Sequence, residues 1–167
     1  EICFIPDNDY RGFLRRKDPA AFEKLTHGKL VGLDGAVLGE HDGHPFFTIG
    51  QRKGLGIATG TPMYVTEIIP ETNTVVLGGK DDLDKHSAWV RKPNFQKVPA
   101  LTGEMETVTK VRYKDKGTPA TIVMDGEHVR VDFLAKVAGI APGQSAVFYD
   151  GEDVIGGGFI DREPQRP

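Results

Sequence analysis

The sequence predicts a mainly β protein of two small β-rich domains, the second a β-barrel. Three observations point there. Turn-forming pairs recur at short intervals, at Asp34-Gly35, Asp125-Gly126 and Asp150-Gly151, between runs rich in valine, isoleucine, threonine and phenylalanine. That is the pattern of hairpin strands. No long helical periodicity interrupts it. The length of 167 residues suits one ordinary domain or two small ones. A change of composition at Arg91-Lys92-Pro93-Asn94 reads as the linker between them.

Taken in order, Asn8 to Arg16 is the expected first helix, burying Phe13 and Leu14. Arg15, Arg16 and Lys17 follow at an end where the helix dipole favours cations. Ala20 to Leu25 is a shorter helical candidate. Leu30 to Leu33 and Ala36 to Leu38 form a hairpin across Asp34-Gly35. His44 to Ile49 is expected as a third strand, and Met63 to Ile69 with Thr74 to Leu77 as a second hairpin around Pro70-Glu71-Thr72-Asn73. Asp81 to His86 is a polar connection with about one helical turn. Beyond the linker, Gly103 to Tyr113 reads as one long strand. Ala120 to Met124 pairs with His128 to Leu134, and Ser145 to Tyr149 with Val154 to Ile160. Six or so short strands without a long helix predict a closed or nearly closed barrel. The expected divisions are residues 1–27, 28–92 and 93–163, with a tail at 164–167.

Composition narrows the function. The apolar runs fall far short of a membrane span, and one cysteine, Cys3, cannot form an internal disulfide. A soluble, cytoplasmic protein is expected. A formal net charge of −3 gives no overall attraction to nucleic acid, so an RNA contact would need its cations gathered on one face. His41 and His44 flank Asp42-Gly43, but two histidines without further patterned ligands make a weak set, and no metal is expected.

Three features could carry chemistry. The run Phe46 to Ile57 leads into a glycine-rich turn that would present Gln51, Arg52 and Lys53 to a phosphate or a neighbouring domain, or simply to water. Lys110, Arg112, Lys114 and Lys116 stand at every second residue. Strand periodicity would put them on one face, as an RNA-backbone footprint or as an edge strand guarded by lysines. Cys3, between Ile2 and Phe4, is either a small core residue or a functional thiol. Trp89, beside the presumed linker, suggests packing between domains.

The Phe46 to Ile57 run, together with Glu1-Ile2-Cys3-Phe4-Ile5-Pro6 and Gly156-Gly157-Gly158-Phe159-Ile160, resembles the tRNA-specific 2-thiouridylases. The resemblance runs from Cys3 to about Ile160. It implies a last domain like the second domain of translation elongation factor Tu, preceded by a smaller β-rich domain, with residues 1–27 ending a catalytic domain. Cys3 falls on the family's sulfur-carrying cysteine. Arg112-Tyr113 match its tRNA-contacting pair and Gln144 another tRNA contact, with Lys110 and Lys114 beside them. Family members open with a PP-loop domain marked Ser-Gly-Gly-x-Asp-Ser, a motif not found in this sequence. A C-terminal fragment is therefore expected: monomeric, without a cofactor of its own and inactive alone.

In the family reaction, ATP bound by the PP-loop domain adenylates the 2-carbonyl oxygen of the wobble uridine. A donor protein loads the cysteine as a persulfide, whose outer sulfur attacks carbon 2 as AMP leaves. A second cysteine in the missing domain then closes a disulfide with the first. The implied partners are tRNA and the persulfide donor. Two other readings stay open: a non-catalytic RNA-binding barrel of translation-factor type, and a sulfur-relay thiol protein.

Overall fold

The structure, a computed structural model, describes residues 9–23 and 25–164. The chain forms two compact units, Glu1–Lys80 and Asp81–Pro167.

In the first unit, α1 (Tyr10–Lys17) starts where the side chain of Asp9 accepts a hydrogen bond from the Gly12 amide at 2.9 Å. That contact satisfies one of the donors a helix start leaves open. The basic residues Arg15, Arg16 and Lys17 occupy its last turn, as the dipole favours. A short helix, α2 (Pro19–Glu23), follows. Four strands, β1 (Gly28–Gly32), β2 (Val37–His41), β3 (Tyr64–Ile69) and β4 (Thr74–Gly78), make a sheet in the order β2-β1-β4-β3. β1 pairs antiparallel with β2 and parallel with β4. The predicted β1–β2 hairpin forms: Asp34 accepts from the Ala36 amide at 3.0 Å, and Gly35 takes the left-handed φ of 79° that its position requires. Leu30, Val65, Val75 and Leu77 are fully buried on the sheet, with Phe46, Phe47 and Leu55 against them. Tyr10, Leu14 and Phe22 pack from the helices, and Phe22 stacks on Phe46 at 5.0 Å between ring centroids.

The expected strand from His44 to Ile49 does not form. His44–Phe46 is a 3₁₀ turn with Pro45 in its first positions. Proline has no N–H for a ladder and a fixed φ, so the aromatic residues fill the core from a turn instead of a strand. Only the end of the segment meets the sheet, where Gly50 donates to Val65 and Gln51 accepts from it. Asn73 organises this region from a left-handed conformation at φ 49°. Its carbonyl accepts from Lys29, its side-chain oxygen accepts from the His44 amide at 3.0 Å, and its side-chain nitrogen donates to the Leu25 carbonyl.

The second unit is a closed barrel of β5 (Asp84–Phe95), β6 (Met105–Lys110), β7 (Thr118–Asp125), β8 (His128–Ala138), β9 (Ser145–Asp150) and β10 (Asp153–Asp161). The strand order round the wall is β10-β5-β8-β7-β6-β9, every pairing antiparallel. Val90, Ile122, Val129, Val131, Ala146, Phe148 and Ile160 fill its interior. Closure depends on glycine in β10. A Cβ at Gly157 would lie 2.5 Å from the Ala146 carbonyl oxygen, and one at Gly158 would lie 2.6 Å from that of Arg91.

Three expectations need correction here. Arg91 to Asn94 is no linker but the middle of β5, paired with Phe159 and Gly157 across a register shift. Lys92 sits there at φ 49° ahead of Pro93. The composition change thus marks a bulge, the place where a sheet tolerates proline, and the division falls ahead of β5 instead. Trp89, expected between domains, lies in the barrel wall and donates its indole N–H to Asp125 at 3.2 Å. The long strand to Tyr113 stops at Lys110. Asp115 ends it by accepting from the amides of Val111 and Gly117 at 3.0 and 3.1 Å, which folds residues 111–117 into a closed loop. Lys110, Arg112, Lys114 and Lys116 therefore do not share a strand face.

Candidate nucleic-acid interface

Barrel topology gathers most of the predicted RNA-facing residues at one end. β6 ends at Lys110, β7 begins at Thr118, β8 ends at Ala138 and β9 begins at Ser145. Because these strands are antiparallel neighbours, loops 111–117 and 139–144 leave the same end of the barrel. The first carries Arg112, Tyr113 and Lys114, and the second carries Gln144. Arg112 reaches across: its Nη1 lies 3.0 Å from where a Cβ on Gly139 would stand, so the guanidinium rests over the backbone of the second loop.

Each group is set differently. Tyr113 is 96% exposed, its ring covered by nothing. Arg112 and Lys114 are exposed, while both carboxylate oxygens of the neighbouring Asp115 are held by loop amides. The loop tip consequently presents cations outward and keeps its one carboxylate bonded to its own backbone. Gln144 is fixed through its main chain, donating to Ala141 and accepting from Ile160 at 2.7 Å, and its side chain makes no hydrogen bond among the described residues. Lys110 stands apart on the wall, its Nζ 4.8 Å above the ring of Tyr149. A planar guanidinium can fork two phosphate oxygens, and an exposed aromatic ring can stack on an unpaired base. The cluster has the chemistry of a backbone grip with one stacking platform.

In the first unit, Arg52 and Lys53 are exposed, but Gln51 is not presented outward as expected. Its side chain accepts from the Thr48 amide at 3.1 Å and donates to the Lys53 carbonyl at 3.0 Å, bracing the loop from within. Cys3 lies outside the described residues. His41 is buried against Phe47, and its Nδ1 accepts from the Gly43 amide at 3.0 Å. Burial above all, then the nearby His44, pushes its pKa below the usual imidazole value. His44 faces Asn73 at 3.2 Å. Both histidines thus serve the turn, and no group of three or more His, Cys, Asp or Glu stands together for a metal among the described residues. Among them, too, no helix is long and apolar enough to cross a membrane.

Two organising residues escaped sequence reading. Asp115 lies two residues before Gly117, the spacing of an Asx turn, and that signal was available. Asn73 closes the β3–β4 turn, where a left-handed residue is common, but its bonds to Leu25 and His44 depend on tertiary proximity and leave no local trace.

Two family models match the chain. One, described as a tRNA methyl transferase PRC-barrel domain, covers residues 20–79; the other, an aminomethyltransferase β-barrel domain, covers residues 85–160. Each match falls within one of the two compact units, which defines the class as a small PRC-type β unit followed by an aminomethyltransferase-type barrel. The tRNA-specific 2-thiouridylase of Amoebophilus asiaticus is 53% identical over all of this chain and 45% of its own length. That of Cytophaga hutchinsonii is 53% identical over 96% of this chain and 44% of its own length. That of Salinibacter ruber is 45% identical over 96% of this chain and 42% of its own length. The chain belongs to the tRNA-specific 2-thiouridylase family, and it spans a little under half the length of these relatives.

Proposed function

We propose that this chain is the tRNA-binding and sulfur-accepting part of an enzyme that converts the wobble uridine of tRNA to 2-thiouridine. The observation that carries the RNA half is the convergence of Arg112, Tyr113, Lys114 and Gln144 on one barrel end, with Asp115 withdrawn into the loop. That its relatives are named tRNA-specific 2-thiouridylases supports the chemical half.

In this reading the barrel end grips the phosphate backbone and positions the tRNA, and base choice lies elsewhere, since phosphate contacts carry no sequence information. ATP is bound by a domain outside this chain and makes carbon 2 of the uridine electrophilic. Cys3 carries a persulfide from a donor protein; its outer sulfur attacks carbon 2, and AMP leaves with the activated oxygen. A second cysteine thiol outside this chain displaces the sulfur by closing a disulfide with Cys3, which breaks the persulfide S–S bond and leaves the sulfur on the base. The chain alone does not complete the reaction.

Binding of a tRNA transcript, followed by fluorescence anisotropy across a salt series, tests the RNA half. Loss of Arg112 should lower the log–log salt slope by about one unit per phosphate contact. Tyr113→Ala should weaken binding with little change of slope. Unchanged affinity in an Arg112→Ala/Tyr113→Ala double variant would remove this face from the RNA site.

A further inference from the structure

We infer that the open groove beside Arg52 is a second nucleic-acid contact, a seat on the first unit for one phosphate-and-nucleoside step of a single-stranded RNA segment. The inference rests on the RNA-binding reading above, but on different residues in a different unit.

Charge is the first observation. From Gly43 through Thr66 the sequence has no aspartate or glutamate, on a chain whose formal net charge is −3, and this stretch holds Arg52 and Lys53. Both side chains are exposed, and neither forms an ion pair among the described residues. Local field, more than net charge, decides where a polyanion settles.

The backbone is the second. Among the described residues, none of the N–H groups of residues 52–60 donates a hydrogen bond to a protein acceptor. Amides open to solvent are hydrogen-bonded to water, which an incoming phosphate oxygen can replace. Gly56 and Gly60 hold φ of 75° and 65°, and a Cβ on either would meet nothing within 4 Å. Here glycine serves the backbone path, and the space above the loop stays open.

The third is shape. Arg52, Leu55, Ile57, Thr59 and Met63 border an open groove of about 500 Å³, within the range of small-ligand sites and large enough for a nucleotide. Leu55 is buried in the unit's core, with Ile57 and Met63 packed against that core, so the groove has a fixed apolar side. A ribose or base can lie on that side while its phosphate meets Arg52, Lys53 and the free amides. The exposed apolar residues of this unit suited to a protein partner, Leu33, Val37 and Leu38, lie instead on the β1–β2 hairpin.

The test is a titration of the isotope-labelled chain with a single-stranded tetrauridylate, followed by amide NMR, beside tRNA binding by anisotropy. Amide shifts should centre on residues 52–60 and persist in the Arg112→Ala/Tyr113→Ala variant. Arg52→Ala/Lys53→Ala, which alters only exposed side chains, should weaken the oligonucleotide about tenfold and lower the salt slope by about 0.7, the value for one phosphate of a single strand. If tRNA binds but residues 52–60 do not respond, the groove assignment fails and the barrel reading stands. If inorganic triphosphate shifts the same amides as strongly as the oligonucleotide at equal ionic strength, the nucleoside part of the proposal fails. Loss of all tRNA binding only in the barrel variant, with the groove still answering the oligonucleotide, would support the groove and leave the two sites separable.

Discussion

Asp115 ties the fold of the barrel end to its proposed work, and Asp115→Ala separates the forces involved. The carboxylate accepts from the amides of Val111 and Gly117 at 3.0 and 3.1 Å, both partly buried. Hydrogen bonds to a charged group contribute about 1.5–3 kcal/mol each. With Asp115 half-exposed, about 1 kcal/mol apiece is the better figure, so alanine should cost about 2 kcal/mol of stability. RNA affinity faces two opposed effects. Removing a negative charge at roughly 8 Å from a phosphate in physiological salt favours binding by only on the order of 0.2 kcal/mol. Freeing the loop means that binding must reorder it, at about 1–2 kcal/mol for each residue released. Disorder wins, and affinity should fall about fivefold or more. Asp115→Asn loses the charge but keeps an acceptor oxygen, so it should lie between the two in stability and bind tRNA nearly as well as the unmodified chain. Urea unfolding gives the first quantity and anisotropy the second. An Asp115→Ala chain with an unchanged midpoint and undiminished tRNA affinity would refute the latch.

Four other outcomes are expected. Gly157→Ala places a Cβ 2.5 Å from one backbone atom and 3.3 Å from another, so the overpacking should cost about 1–3 kcal/mol in urea, and a neutral result would contradict the closure geometry. Asn73→Gly should be milder than Asn73→Ala by about 1 kcal/mol, because both lose the side-chain bonds but only alanine is strained at φ 49°. His41 titrates lower in the folded chain than its unfolded value of 6.5. The unfolded state therefore takes the proton first as pH falls; the effect is absent above pH 6.5 and stability drops below it. Unfolding midpoints at pH 7.5 and 5.5 should differ more for the unmodified chain than for His41→Gln. In the full-length enzyme, Cys3→Ser should abolish 2-thiouridine, read by nucleoside mass spectrometry, while leaving tRNA binding intact.

Local chemistry announced the hairpins. Asp34-Gly35, Gly126-Glu127 and Gly151-Glu152 bend the chain with glycines at φ 79°, 63° and 59°, and the flanking strands follow from their own alternation. The failures share a cause. At Pro45 and at Lys92-Pro93 one residue redirects a segment whose overall composition points the other way: aromatic residues suggested a strand where a turn forms, and a charged, proline-bearing tetrad suggested a linker inside a strand. Composition averages over a window, whereas a missing N–H acts at one position. The same holds at Asp115, whose two short bonds cut an apparent eleven-residue strand to Met105–Lys110.

That misplaced strand changes what the basic residues mean. Four cations alternating on a flat strand would form a rigid stripe, and their number would set the affinity. On a closed loop the exposed cations follow the turn instead of one strand face, and Gln144, far away in sequence, leaves the same end of the barrel at the start of β9. Spacing along the chain could suggest that RNA would be gripped, but not by what arrangement, because the arrangement arises from closure of the barrel. For an acidic chain this matters. With a net charge of −3, long-range attraction offers RNA little, so the proposed binding has to come from a few groups held at short range with their own counter-charge turned away. In that proposal Asp115, bonded to backbone amides on both oxygens, supplies this at the barrel end.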